Sequence, residues 1–162
     1  MKRGFSLVEI ITILFIISLG LVGILSLLIQ NIQSQGYNKN NLIAYQLAQE
    51  GVELIRKVRD SNWRTANEPL DELFTAGQYY MDYLDSEPQP YSGSPAQLVL
   101  KQDAAGFYFH DLASTATSSI FSRLIVLQNV SAASVRVIVR VSWEDRERNY
   151  AYDLETMLYN WR

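Results

Sequence analysis

The chain has 162 residues, of which 48% are hydrophobic, and its formal net charge at pH 7 is −3. This length allows one compact domain beside a membrane segment, and the slight acidity gives no indication of nucleic-acid binding. The sequence has no cysteine and a single histidine, which excludes disulfides and leaves no zinc-ligand set. We therefore predict neither a metal nor a cofactor.

An apolar run from Ile10 to Ile29 follows a short charged N-terminus. A helix of twenty residues is about 30 Å long, which matches the hydrocarbon core of a bilayer. Lys2 and Arg3 precede the run, and positive charge stays on the cytoplasmic side of a membrane. The run therefore predicts one membrane-spanning helix, with the N-terminus inside the cell and the rest of the chain outside.

Glu9 is an isolated acid at the edge of this run. A carboxylate drawn into lipid costs about 2.5–3.5 kcal/mol on insertion scales, which a plain anchor would avoid. A cation that becomes available after insertion would offset this cost. Cleavage after Gly4 would create such a cation, an amine one helical turn before Glu9 or at similar range on a neighbouring copy.

The stretch Gly4-Phe5-Ser6-Leu7-Val8-Glu9, together with the apolar run, resembles the processing motif of type IV pilins and the related pseudopilins. The resemblance implies that a membrane prepilin peptidase cuts after Gly4 on the cytoplasmic face and methylates Phe5, the new N-terminal residue. It also implies that Glu9 pairs with the N-terminal amine of an adjacent subunit during filament assembly. Many pilins close a C-terminal loop with a disulfide, and this chain departs from them in having no cysteine.

A charged stretch followed by an apolar run also describes a secretory signal or a simple membrane anchor. The run is too long for a signal, and no small-residue cleavage site of the A-x-A type follows it. A plain anchor stays open as an alternative, although Glu9 argues against it.

The helix is predicted to continue beyond the apolar run to Asn62, because an apolar stripe recurs at i, i+3, i+4 and i+7 spacing. The members of this stripe are Ala44, Leu47, Ala48, Gly51, Leu54, Ile55 and Val58. The predicted organisation is a prepilin leader at 1–4, a transmembrane or filament-core helix at 5–29, an amphipathic continuation at 30–62 and a globular β-rich head at 63–162.

Strand composition or strict alternation occurs at several places in the head. The predicted strands are 78–84, 96–101, 106–110, 121–130, 135–143 and 150–159. Loops are predicted at 64–77, at the proline-rich 86–95 and at 111–119, and a charged turn at 144–149. We therefore predict an α+β fold in which the amphipathic half of the helix packs on a three- or four-stranded antiparallel sheet, as in pilins.

Four further stretches look like minor pilins of the pilus-modification kind. They are 47–56, 59–63, 139–143 and 154–161. This second resemblance favours a minor pilus subunit, and pilus, type II secretion and competence systems stay open. The implied partners are other pilin subunits, the membrane and the prepilin peptidase, and the implied location is the cytoplasmic membrane followed by an extracellular or periplasmic filament.

The remaining polar residues are assigned ordinary roles. His110 is expected at a strand end or on the surface, and Asp82, Asp85 and Glu87 are expected to form a solvated acidic edge, because they match no calcium loop. No nucleophile elbow or phosphate-binding loop occurs, so no enzymatic activity is predicted. Gly20 and Gly23 would allow either close helix approach or flexibility of the stem.

A basic cluster lies near the predicted end of the helix. Its members are Arg56, Lys57, Arg59 and Arg64. Acidic residues are interleaved with it, so local ion pairing is expected in preference to nucleic-acid contact.

Overall fold

A computed structural model of the chain describes residues 6–65, 75–110, 116–131 and 133–160. The elements in chain order are α1 (Leu7–Thr65), β1 (Gly77–Tyr80), β2 (Gln89–Pro90), β3 (Val99–Gln102), β4 (Tyr108–Phe109), β5 (Thr117–Ser131), β6 (Ser134–Asp145) and β7 (Arg148–Tyr159). The predicted α+β class is confirmed: one long N-terminal helix precedes an antiparallel sheet. The chain divides into two compact units, Met1–Asn40 and Asn41–Arg162.

The described part of the first unit is helical and exposes its apolar side chains. The large apolar residues between Leu7 and Ile29 are 44% to 72% exposed. Among the described residues, α1 is the one helix whose length and composition would allow it to cross a bilayer.

The second unit is held together by α1 from Asn41 onward packing on the sheet. The predicted apolar stripe is confirmed, since its residues are buried together with Val52. The β6 valines 135, 137, 139 and 141 belong to the same core. A Cβ added at Gly51 would lie 2.8 Å from Cγ1 of Val139, so the lack of a side chain allows the helix to approach β6 closely.

Within the described ranges the sheet has seven strands, so the expectation of three or four was wrong. The long strand β5 pairs with β6 along one side, while β3 and β1 pair with successive parts of its other side. β7 pairs with β6, and β2 and β4 pair with β1 and β3. Strands β1 to β4 have two to four residues each, which is too short for a two-residue period to stand out.

Several boundaries differ from the prediction. The helix continues to Thr65, and β1 ends at Tyr80 because the chain turns between Asp82 and Asp85, where the Asp85 N–H donates to the Asp82 carbonyl (3.1 Å). The charged turn shrinks to Arg146 and Glu147, because β6 and β7 continue to either side of it. Most of the loop predicted at 64–77, and residues 111–115, lie outside the described ranges.

Candidate functional site

Glu9 lies in the first turn of α1 and is solvent-exposed. The backbone N–H groups of a first turn have no partner within the helix, and the helix dipole is positive there. A carboxylate is therefore favoured at this end. Gly4 and Phe5, the predicted cleavage and methylation residues, lie outside the described residues, so Glu9 is the predicted site residue that the structure places.

Two glycines lie on the side of the stem that carries Glu9, where the stem means residues 6–29. Gly20 and Gly23 lie about three and four turns beyond Glu9, so both fall on its side of the helix, as does Thr12. A Cβ added at either glycine would meet nothing within 4 Å. The stem therefore combines its acid and its two smallest residues on one side.

Three hydroxyl groups of the stem donate hydrogen bonds within their own helix. Thr12 donates to the Val8 carbonyl (2.8 Å), and Ser18 and Ser26 donate to carbonyls of the preceding turn. This leaves Glu9 as the one charged side chain of the described stem. Any interaction that neutralises the stem must therefore act on this carboxylate.

The head contains a buried polar cluster that the sequence analysis missed. Arg123 is fully buried, and its guanidinium donates to the carbonyls of Met81 (2.8 Å) and Leu47 (3.3 Å). Carboxylate oxygens of Glu50 and Asp82 lie 3.4 and 3.6 Å away. The alternation along β5 could have predicted the burial of Arg123, because this residue stands in phase with buried apolar neighbours.

His110 and Asp82 complete this cluster, so the surface alternative for His110 and the solvated edge expected for Asp82 need correction. His110 follows β4, as a strand-end residue would, but its side chain is only 2% exposed. Its Nδ1 lies 2.6 Å from Oδ1 of Asp82, and its backbone N–H donates to Oδ2 (2.7 Å). Asp82 therefore does not belong to a solvated edge, because it accepts hydrogen bonds inside the head.

The pKa of Asp82 reflects these contacts. Burial raises it, but the hydrogen bonds from His110 and the electrostatic attraction of His110 and Arg123 outweigh burial, so the pKa of Asp82 lies below its usual value. Asp85 accepts a hydrogen bond from the Asp82 backbone N–H (2.8 Å) and so fixes the turn, while Glu87 is exposed. The three acids therefore do not form one solvated edge, because Asp82 and Asp85 accept hydrogen bonds and Glu87 is the exposed one.

The cluster connects four parts of the head, namely α1, the segment that follows β1, the residue that follows β4, and β5. Its contacts indicate a structural role, because they hold these elements together. Within residues 6–65, 75–110, 116–131 and 133–160, no three His, Asp or Glu side chains come together in a way that could hold a metal ion.

Local ion pairing is confirmed for Arg56 and Arg59 near the end of α1, whereas Lys57 contacts a distant backbone carbonyl. Arg56 contacts Glu53 (2.6 Å), Arg59 contacts Asp60 (2.8 Å), and Lys57 donates to the Tyr83 carbonyl (3.2 Å).

Comparison of this chain with family models, with curated proteins and with solved structures found no match. The likeness to pilins therefore depends on the N-terminal motif and on the layout of the chain, in which a long apolar helix precedes an antiparallel sheet.

Proposed function

We propose that this chain is a subunit, most like a minor one, of a type IV pilus or a pilus-like filament. The observation that supports the proposal best is the exposed apolar stem, whose one charge, Glu9, lies in its first turn at the fifth position after Gly4. A pseudopilin of a type II secretion or competence system has the same stem, and is the alternative within this class.

In this proposal, a prepilin peptidase removes residues 1–4 and methylates Phe5. The stem is held in the cytoplasmic membrane until it enters a filament, where it packs among the stems of neighbouring subunits. Lipid is as apolar as those stems, so the hydrophobic effect gives little preference for the filament, and close packing must supply it. The side with Gly20 and Gly23 offers the shortest approach for a neighbouring helix.

The charge of Glu9 would decide whether a stem enters. An ion pair at 4 Å contributes about 4 kcal/mol at an effective dielectric constant of 20. This exceeds the roughly 2.5–3.5 kcal/mol that a charged side chain costs at the centre of a membrane helix. Glu9 is therefore unfavourable in lipid but favourable in a filament, where it pairs with the amine of a neighbouring Phe5.

A permanently anchored binding module is the second candidate, because the length and composition of α1 suit a plain anchor equally well. The two candidates differ at the N-terminus. We expect the intact mass of protein from its native membrane to correspond to a chain that begins at methylated Phe5. A mass that includes Met1, Lys2, Arg3 and Gly4 would contradict the filament proposal and favour the anchor.

A further inference from the structure

In the described part of the chain, one edge of the sheet is formed by the long strand β7 and the other is divided. β7 pairs with β6 in an unbroken register from Arg148 to Tyr159. From Ala151 to Tyr159, no second strand among the described residues pairs with β7. The opposite edge is split between β2 and β4, which have two residues each, and β2 contains Pro90. Short strands and proline are devices that prevent pairing with other chains.

The hairpin turn determines which backbone groups of β7 point outward. Arg146 and Glu147 form a two-residue turn in which both φ angles are positive, 53° and 62°. Such a turn makes the flanking pair, Asp145 and Arg148, a hydrogen-bonded pair, and these pairs alternate along an antiparallel ladder. The N–H and C=O groups that point away from β6 therefore belong to Ala151, Asp153, Glu155, Met157 and Tyr159.

The contact between Arg140 and Asp153 agrees with this phase. These residues oppose each other in a pair without backbone hydrogen bonds, where side chains lie closest together. Their side chains form two hydrogen bonds of 2.7 and 2.8 Å.

β7 itself lacks two of the features that usually protect an edge strand, proline and a bulge. It contains no proline, and its register with β6 has no bulge. Its two acids, Asp153 and Glu155, are paired with arginines of β6, at 2.7 and 3.1 Å, so they would accept an incoming strand whose neighbouring side chains are neutral or basic. An open edge of this length is a template for another strand.

A cleft of about 380 Å³ lies beside this edge, between α1 and β7. Its lining residues are Gln49, Val52, Glu53, Arg56, Leu154, Glu155 and Thr156. Glu53 and Arg56 pair with each other, so the helix side of the cleft has no net charge. A strand added to β7 would direct every second side chain toward this cleft.

We propose that the β7 edge binds an extended segment of a different polypeptide as an additional strand of the sheet. The segment has uncharged apolar side chains on the face toward the cleft and neutral or basic ones beside Asp153 and Glu155. A second copy of β7 is a poor partner. If two β7 strands paired antiparallel over most of their length, Asp153 would lie opposite Asp153 or Glu155 of the other copy, and like charges in opposite positions destabilise a sheet. This proposal is independent of the filament function.

A peptide with the sequence of residues 134–143 of β6 is a suitable probe. Its valines alternate with Arg136, Ile138, Arg140 and Ser142, which matches the chemistry required of the partner. Binding of the fluorescently labelled peptide to the full chain in detergent would be measured by anisotropy. A scrambled peptide is the control for non-specific association.

The variants block the edge in two different ways. Ala151→Pro removes one outward N–H without loss of a hydrogen bond between β6 and β7, and Ala151→Thr is its matched control. Thr156→Lys adds a charge on the cleft side and leaves the backbone unchanged. We expect the wild type and Ala151→Thr to bind the β6 peptide, and Ala151→Pro and Thr156→Lys to bind it at least tenfold more weakly.

Several results would overturn the proposal. They are no binding by the wild type, equal binding of the scrambled peptide, or equal binding by all variants. If circular dichroism shows that Ala151→Pro is unfolded, the affinity of Thr156→Lys for the β6 peptide decides whether the proposal stands. Self-association of the chain that competes with the peptide and is lost in both blocking variants would identify a second copy as the occupant, which contradicts a different polypeptide.

Discussion

Replacement of Arg123 by methionine tests whether the buried cluster holds the head together. Arg123→Met keeps much of the side-chain length but removes the guanidinium, which is fully buried and donates to the carbonyls of Leu47 and Met81. Hydrogen bonds from charged groups contribute about 1.5–3 kcal/mol each. Removal of one partner from a buried ionic cluster costs about 3–5 kcal/mol. We therefore expect the free energy of unfolding to fall by roughly 3–5 kcal/mol.

The matched control is Arg140→Met, which removes an exposed arginine and its ion pair with Asp153. Exposed ion pairs contribute at most about 1 kcal/mol. Both variants would be unfolded with denaturant as full chains in detergent, with tryptophan fluorescence as the signal, since Trp143 is buried in the core. A loss for Arg123→Met no larger than that for Arg140→Met would refute the role assigned to the cluster.

Two further predictions concern the head. In Gly51→Val the new Cβ alone would lie 2.8 Å from Val139, so we expect the free energy of unfolding to fall by about 1–3 kcal/mol. The control Gly36→Val adds its side chain in open space and should change the denaturation midpoint much less. The pKa of Asp82 is lowered in the fold, so its stabilising effect is full above the unfolded value and disappears as the pH falls through the folded one. The free energy of unfolding should therefore decrease as the pH falls below about 4. The decrease should be less steep in Asp82→Asn, although Asp153, whose pKa is also lowered, still contributes to it. Identical acid profiles of the two proteins would contradict this assignment.

The elements that the sequence predicts well are those whose pattern is local and long. The apolar stripe on α1 from Ala44 to Val58 and the alternation in β6 repeat often enough to indicate one buried face each. β2 and β4 are different, because two residues carry no period and each strand exists only through its pairing with β1 or β3.

The polar cluster could be predicted only in part. The position of Arg123 follows from the phase of Phe121, Ile125 and Leu127, so its burial was available from the sequence. The pairing of His110 with Asp82 was not, because these residues are 28 positions apart and meet only after the sheet has formed. For the stem, the roles of Gly4, Phe5 and Glu9 stay predictions.

The most direct test of the filament proposal is the incorporation of Glu9→Val into purified filaments. Thr12→Val is the matched control, because Thr12 lies one turn further on the same side of the helix and carries no charge. Both variants should be cleaved and inserted into the membrane like the wild type. We expect Thr12→Val to enter filaments and Glu9→Val to be absent from them or strongly depleted, whereas normal incorporation of Glu9→Val would contradict assembly through this carboxylate.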